Sequence, residues 1–497
     1  MGREANPLSY IHNLSLNGEN VTNLVIPEGV TSINHYAFSG CSIKSVELPK
    51  SLTDIGIQAF DDTPLKQITI PSGVTHIGRT AFGNCQDLLT VTFEDGETPL
   101  YLDGTIFYKD PVISVYLGRN TSGIEACPFQ DTDEMVQRTG VTIGNTVTEL
   151  GNNLFAEWKN LVSVQYANNI SNVTSIGSNT FRGCTGLDYT PIPEGVTSIG
   201  NNAFQGCTKI MGIYIPEGVT SIGRYAFADC TGAEYVYIPS SVTSIESNAF
   251  YECTGLTKVL IKDVAAWCNI DFQFEEERGF FANPSRYAHD LYLDKGDGLH
   301  SNYEKITNLV IPDGVTAIKD YVFFWYNGLT SVTIPNSVKS IGRFAFASCD
   351  GLTSVEMSNG VTSIGEYAFN YCTGLTTITI PGSVTSIGIG AFHRCSGLTS
   401  VYSLSTTPPS VDNNYCFDNE QYQSATLYVP QTALETYRTT DPWMNFVNME
   451  GIDVSGINGI NADGNGTRNV YYDMNGRKLN EPKTGLNIIN GKKVIVR

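Results

Sequence analysis

The sequence is poor in positive charge and has no long apolar run. Its 497 residues include 30 Lys and Arg against 50 Asp and Glu, a formal net charge of −20. Because an anionic surface repels nucleic acid and anionic membranes, neither is an expected partner. No stretch reaches the roughly 18 apolar residues that a membrane helix needs, so we expect no transmembrane segment. With 41% hydrophobic residues and 48 glycines, the composition favours a packed, turn-rich fold.

Signatures of catalysis and of metal binding are also missing from the sequence. There is no C-x-x-C, no H-E-x-x-H, no G-x-S-x-G elbow and no P-loop. The string from Asn461 matches part of a calcium loop, but Tyr472 stands where the bidentate Glu is required. The acidic run Glu275–Glu277 is typical of a solvated loop. The sequence therefore assigns no catalytic residue, no metal ligand and no cofactor.

An internal repeat dominates the chain. The segment VTSIGNNAFQGCTKIMGIYIPEG begins at Val196, and similar segments follow from Val219 and Val242. A second array starts at Val315 and recurs every 23 residues. Such a period predicts a solenoid, because one unit cannot bury its apolar face alone and must stack on its neighbours. One aromatic per unit gives fifteen units: Phe38, Phe60, Phe82, Phe107, Phe129, Phe155, Phe181, Phe204, Phe227, Phe250, Phe323, Phe346, Phe369, Phe392 and Phe417.

Each unit fits one coil of the chain. Ile378 and Ile380 alternate with polar residues, which predicts a short strand with one buried face. Val361 and Ile364 supply a second inward-facing edge. We expect the segment from Ala368 to Cys372 to form one helical turn, because positions three and four apart share a helix face. The Thr-Gly that follows would end that turn.

The pattern VTSIgxxAFxxCtgLTSVtIP resembles the treponemal and BspA-type leucine-rich repeats of bacterial surface proteins. The resemblance covers most of residues 20 to 452, although the segments 98–133 and 140–172 keep little besides the aromatic. It implies an α+β repeat solenoid, a curved right-handed coil with a parallel β face and short helical turns. It also implies a monomeric protein of the cell surface or the extracellular space, with host or microbial surface proteins, and glycans, as partners. No binding residue carries over, since the repeat motif itself is core.

The repeats and their interruptions divide the chain into six segments. The sequence from Asn6 aligns with that from Asn283, which indicates one recurring module whose first copy is truncated. Asn-Gly turns at Asn475 and Asn490 predict paired hairpin strands, similar to the small C-terminal β segments of secreted Bacteroidetes proteins. The segments are a truncated flanking module (1–20), a first array (21–262), an interrupting module (263–304), a second array (305–404), a cap (405–452), and a linker with a β-hairpin tail (453–497).

Most of the twelve cysteines follow the repeat. Side chains stacked in parallel strands lie about 4.8 Å apart, whereas a disulfide requires Cβ atoms about 3.8 Å apart with converging vectors. This mismatch favours a ladder of reduced, buried thiols that pack as small hydrophobic groups. Nine cysteines lie three residues after the repeat aromatic: Cys41, Cys85, Cys184, Cys207, Cys230, Cys253, Cys349, Cys372 and Cys395.

The candidate ligand-binding residues are Tyr189, Tyr214, Tyr235 and Tyr237. They occupy strand positions that point away from the core, so they could stack on sugar rings or anchor a peptide. Ordinary β propensity explains them as well. Three functions stay open: a non-enzymatic recognition scaffold for adhesion, a carbohydrate-binding accessory protein that uses these tyrosines, and an enzyme with its site in residues 263–304.

Overall fold

The computed structural model describes residues 14–16, 18–123, 127–129, 139–169, 171–275, 280–296, 302–412 and 415–453, and four strands between 471 and 496. The chain forms two compact units. Unit 1 comprises Met1–Ala266 and Ile270–Glu304, and unit 2 comprises Trp267–Asn269 and Lys305–Arg497. Both are built from successive coils of a parallel-strand solenoid with few helices and about 18 turns, which confirms the predicted fold class. The count exceeds fifteen because some coils lack the repeat phenylalanine, for example those containing Leu291–Asp294 and Asn448–Ile452.

A regular coil contributes one strand to a long-strand sheet and one to a short-strand sheet. In unit 1, the long strands form sheets of two, five and five members. The first two sheets contain Asn23–Val25 and Ser45–Glu47, then Gln67–Ile70, Thr90–Phe93, Ser114–Leu117, Thr139–Ile143 and Leu161–Tyr166. The third contains Gly212–Tyr214, Tyr235–Ile238, Lys258–Ile261, Leu291–Asp294 and Tyr303–Lys305.

The short strands of unit 1 form two parallel sheets on another side of the coil. The first contains Ser32–Ile33, Asp54–Ile55, His76–Ile77, Leu100–Leu102 and Thr121–Ser122. The second contains Glu149–Leu150, Ser175–Ile176, Ser198–Ile199, Ser221–Ile222, Ser244–Ile245 and Asp271–Phe272. Two antiparallel pairs join Ser15–Leu16 to Glu19–Asn20 and Phe274–Glu275 to Phe280–Phe281. The helical segments here are Ala167–Asn169, Val264–Cys268 and Ser285–Ala288.

Unit 2 repeats the same arrangement and ends in a different one. Its short strands are Ala317–Ile318, Ser340–Ile341, Ser363–Ile364, Ser386–Ile387 and Ser410–Val411. Its long strands are Asn308–Val310, Ser331–Ile334, Ser354–Met357, Thr377–Ile380, Ser400–Ser403, Thr426–Pro430 and Asn448–Ile452. The helical segments are Asn419–Ser424, Gln431–Ala433, Leu434–Thr439 and Trp443–Asn445. The strands Tyr471–Tyr472, Lys478–Leu479, Gly485–Ile489 and Lys492–Val496 pair antiparallel.

The period-two pattern places the core between the two sheets. In the strand Thr377–Ile380, Ile378 and Ile380 are fully buried while both threonines remain partly exposed. Burial of such a side chain stabilises the fold by about 1.5–3 kcal/mol. The phenylalanines stack between coils, as in Phe204, whose ring lies 5.1 Å from that of Phe181 and 5.2 Å from that of Phe227.

The predicted helical turn around the phenylalanine is wrong. Tyr367 and Tyr371 adopt left-handed φ values of 53° and 59°, which no α-helix allows. Three overlapping turns form instead, for example through the N–H of Asn370, which donates to the Tyr367 carbonyl at 3.1 Å. The N–H of Phe369 donates to the carbonyl of Ala391 in the next coil at 2.8 Å. Neighbouring coils thus satisfy the backbone groups that a helix would have satisfied internally.

The cysteine ladder is confirmed: all twelve cysteines are free and buried. The structure adds a contact that the sequence did not predict. Eight ladder thiols donate to the carbonyl of the phenylalanine in the preceding coil, as Cys207 does to Phe181 at 3.1 Å and Cys372 does to Phe346 at 3.2 Å. Burial raises the pKa of the Cys253 thiol to about 12, so this thiol remains a protonated donor between coils.

A buried arginine holds one of the irregular coils. The Arg119 side chain is fully buried, and its Nη1 donates to the carbonyls of Ser72 and Val74 at 2.6 and 2.8 Å. Its Nη2 donates to the carbonyl of Pro71 at 2.8 Å. Although the repeat pattern is weak here, the strands Thr90–Phe93 and Ser114–Leu117 stay in parallel register.

The predicted cap at 405–452 closes the apolar end of the last regular coil. Trp443 is 1% exposed, and its Nε1 donates to the carbonyl of Pro409 at 2.9 Å. The Tyr437 ring lies 5.4 Å from that of Trp443, and its hydroxyl bonds to Ser403 Oγ at 2.8 Å. Most of the first flanking copy, from Asn6, and the linker from Ser455 lie outside the described residues.

Candidate functional site

Tyr214, Tyr235 and Tyr237 lie on the outer face of the third long-strand sheet of unit 1, and Tyr189 lies in the coil that precedes this sheet. Tyr214 pairs with Tyr237 in the parallel register, and their rings stack at 5.2 Å. Tyr235 lies one row away against Gly212, where any Cβ would approach the Tyr235 ring to 2.2 Å. This close approach requires glycine at position 212. We call these four residues the tyrosine patch.

The Tyr189 hydroxyl bonds to the backbone of the neighbouring coil, a contact that the sequence did not predict. Its coil has no regular strand between Leu161–Tyr166 and Gly212–Tyr214. The Tyr189 hydroxyl accepts from the N–H of Val164 at 2.8 Å and donates to the Val164 carbonyl at 2.9 Å. On the other side, Thr190 Oγ1 donates to the Tyr214 carbonyl at 3.1 Å. Side-chain hydroxyls therefore replace the backbone hydrogen bonds between strands that this coil lacks.

Tyr237 is buried, although its strand position predicted an exposed side chain. Its side chain is only 3% exposed, whereas Tyr189 is 38% exposed and Tyr214 and Tyr235 are half-buried. The outer row continues from Tyr237 through Leu260 to Tyr292, so the interrupting module extends the same sheet. The unbroken apolar run VLI at 259–261 was the signal in the sequence that both faces of this strand are covered.

Carboxylates surround the patch. Burial raises the pKa of Tyr214, and the negative charges of Glu194, Glu217 and Asp294 raise it further. Burial, and after it the charge of Asp294, raise the pKa of the neighbouring Tyr303 to about 12. The patch thus combines aromatic rings with an anionic rim.

The described residues of the interrupting module make structural contacts. Lys262 Nζ donates to Asp294 Oδ2 at 3.2 Å and to the Gly296 carbonyl at 2.8 Å. The Asp294 side chain is 1% exposed, and its Oδ1 accepts from the N–H of Gly296 at 2.8 Å. His289 ends the helix Ser285–Ala288 with a left-handed φ of 56°. These contacts fix the module against the strand Lys258–Ile261.

Within the described part of the chain, no group of three or more His, Cys, Asp or Glu side chains is arranged to hold a metal ion. In the same residues, none of the helices is both long and apolar enough to cross a membrane.

Stacked coils with two parallel sheets and columns of phenylalanine and cysteine define a leucine-rich-repeat solenoid. The chain belongs to the BspA type leucine rich repeat region family, whose model matches six copies over residues 9–136, 135–257 and 296–424. No curated protein matched the sequence.

Three solved structures are similar to this chain. A leucine rich cell surface protein from Faecalibacterium prausnitzii is 24% identical over 87% of this chain and 88% of its own, with a TM-score of 0.33. A leucine-rich repeat protein from Bacteroides ovatus is 24% identical over 79% and 76%, with a TM-score of 0.30. The pneumococcal vaccine antigen PcpA is 14% identical over 88% and 90%, with a TM-score of 0.30. Because these TM-scores are below 0.5, no ligand of this chain follows from them.

Proposed function

We propose that this protein is a non-enzymatic recognition scaffold, secreted or displayed on a cell surface, that binds host matrix proteins or other cells. Membership of the leucine-rich repeat family supports a protein-binding role. The observation that carries the proposal is the in-register rows of outward side chains on the long-strand sheets.

These outer rows run across coils at the roughly 4.8 Å spacing of adjacent strands. In unit 2, Thr333 pairs with Glu356, and Tyr402 pairs with Thr379 and Tyr428. In unit 1 the row consists of Thr69, Thr92, Tyr116, Thr142 and Gln165. Since the strands are held by ladder bonds and by the core beneath them, a partner can bind with little ordering cost.

The net charge of −20 favours partners with basic surfaces, because the field of an anionic protein speeds their approach. Binding of this kind weakens as salt screens the charges over about 10 Å at 0.1 M.

Immobilised protein tested against purified extracellular-matrix proteins and intact microbial cells provides the experiment. The double variant Gln165→Arg/Glu356→Arg changes the outer rows by three charges. The control, Gln86→Arg/Asp350→Arg, changes the charge equally at exposed positions outside those rows. We expect the first variant to weaken binding at least about fivefold and the control to leave it unchanged, since like-charge contacts cost affinity at an interface. Absence of binding to every protein and cell, or equal binding by both variants, contradicts the proposal.

A second candidate is carbohydrate binding at the tyrosine patch, favoured by the exposure of Tyr189 and the half-exposed rings of Tyr214 and Tyr235. Tyr214→Ala tests this role without opening the core at Tyr237. Undiminished binding of a glycan by this variant would remove the candidate.

A further inference from the structure

A second aromatic surface lies in unit 2, where the last phenylalanine-stacked coils meet the cap. A cleft of about 510 Å³ opens there. This volume falls in the range of about 300–1,000 Å³ that is typical of small-molecule sites. Its walls include Tyr371, Arg394, Tyr415, Asp418, Asn419 and Glu420. We propose that this cleft is a binding site for a neutral saccharide.

The repeat itself brings three of these side chains together. Tyr371, Arg394 and Asn419 each stand two residues after the repeat phenylalanine of consecutive coils. Tyr371 and Arg394 share the left-handed conformation of that position, with φ values of 59° and 60°. The Arg394 guanidinium carbon lies 4.7 Å from the centre of the Tyr371 ring. The stacking holds the arginine donors at the mouth of the cleft.

A row of polar side chains one residue earlier contacts two of the residues that line the cleft, Tyr415 and Asp418. Asn370 Nδ2 lies 3.2 Å from His393 Nδ1, and His393 Nε2 lies 2.8 Å from Asp418 Oδ1. Asp418 Oδ2 accepts from the N–H of Arg394 at 2.5 Å. The His393 ring stacks on one face of Tyr415 at 4.7 Å. The cleft is therefore shaped by contacts between three coils and does not depend on a ligand for its form.

The exposed aromatic surface points to the chemical class of the ligand. Tyr415 is 54% exposed and Tyr371 is 38% exposed, although both rings are held by neighbours. An aromatic face carries partial negative charge and attracts the weakly positive C–H groups on one side of a sugar ring. Sugar hydroxyls both donate and accept hydrogen bonds. The cleft offers acceptors at Glu420, donors at Arg394 and hydroxyls that do both at Thr373 and Ser396.

The charges of the cleft favour a neutral ligand. Both Asp418 oxygens already accept hydrogen bonds within the protein. In the lining Arg394 lies beside two carboxylates, those of Asp418 and Glu420, so an anionic ligand gains no net attraction. A phosphate or an acidic saccharide would meet Glu420 and Asp418 as well as the arginine. This site is separate from the outer rows and from the tyrosine patch, and it does not rest on the proposed protein-binding function.

The test applies the full chain to an array of neutral oligosaccharides, acidic oligosaccharides and peptides, followed by calorimetry with each neutral oligosaccharide retained. Tyr371→Ala and Tyr415→Ala remove the two exposed rings. Tyr101→Ala, at a tyrosine that is 45% exposed in unit 1, is the matched control, and Tyr214→Ala reports separately on the tyrosine patch. Circular dichroism establishes that each variant is folded.

We expect a neutral oligosaccharide to bind the parent chain and the Tyr101→Ala control equally, and each cleft variant about tenfold more weakly, which corresponds to about 1.4 kcal/mol. Retention of no neutral oligosaccharide overturns the proposal, as does preference for acidic oligosaccharides or peptides. Equal binding by the parent and both cleft variants, or loss with Tyr214→Ala instead, overturns it too. Failure of matrix-protein binding in the separate assay leaves this result unaffected.

Discussion

Replacement of Phe204 by alanine tests whether stacking between coils holds unit 1 together. Phe204 is fully buried and lies between the rings of Phe181 and Phe227 at 5.1 and 5.2 Å. Truncation of a buried phenylalanine costs about 3–5 kcal/mol through lost transfer energy and the cavity left behind. Two ring contacts are lost together, each contributing about 0.5–1.5 kcal/mol beyond its area. We therefore expect a loss near 5 kcal/mol.

Phe38→Ala is the matched control at the start of the ladder. Phe38 is only half-buried and stacks on one ring, that of Phe60 at 5.3 Å. We expect its loss to be less than half as large, about 2 kcal/mol. Because stability in a solenoid is a sum of neighbouring contacts, the central change should also divide unfolding into separate steps.

Urea unfolding followed by circular dichroism and by tryptophan fluorescence measures both effects. Trp158 lies buried in unit 1 and Trp443 lies buried in unit 2, so fluorescence reports on both. If Phe204→Ala lowers the free energy of unfolding by no more than Phe38→Ala does, the reasoning that stacked phenylalanines hold neighbouring coils together is refuted.

Three further predictions concern buried polar groups. The cysteines should resist a thiol reagent in the native protein at pH 8, and all twelve should react after unfolding. Rapid labelling of the native protein, or fewer than twelve reactive thiols after unfolding without reductant, would contradict this prediction. Burial raises the pKa of the Cys127 and Cys253 thiols from 9.0 to about 12. Above pH 9 the unfolded state releases the thiol proton while the folded state retains it, so each thiol lowers the free energy of unfolding by about 1.4 kcal/mol per pH unit; below pH 9 its contribution is fully present. Urea unfolding at pH 8, 9 and 10 measures this change. A free energy of unfolding that does not fall over this range would contradict the prediction. Lys262→Met leaves the buried Asp294 carboxylate without its ion pair and should lower the free energy of unfolding by about 3 kcal/mol in the same assay. The double variant Lys262→Met/Asp294→Leu should recover part of this loss. An equal loss in both variants would show that the ion pair is not responsible.

The repeat allowed much of the fold to be predicted from residues alone. Alternation at Ile378 and Ile380 identified a strand with one buried face, and the spacing of the cysteines indicated a ladder of thiols. Repetition makes such inferences robust because every coil tests the same pattern. The helical turn around Phe369 was wrong for a physical reason: the spacing of Ala368, Phe369 and Cys372 suits a helix face, but the next coil offers carbonyl groups that capture alternate N–H groups.

The candidate sites were harder to infer. The tyrosine patch was recognised from its strand positions, yet its closure at Tyr237 depends on the strand Leu291–Asp294 and on Tyr303, which are distant in sequence. The saccharide cleft was missed because Tyr371 and Arg394 occupy positions whose residue type varies from coil to coil. Tyr415 stands two residues before the repeat phenylalanine Phe417, not two residues after it.

The order of residues is enough to define the repeating unit: which side chains face inward, how often the chain turns and which groups must share a core. That information is local, because it depends on period and on hydrophobicity. The tertiary structure alone decided which variable side chains meet on the surface, such as His393 with Asp418 or Lys262 with Asp294. Such pairs depend on the register between coils, which the backbone bonds and the stacked phenylalanines set together.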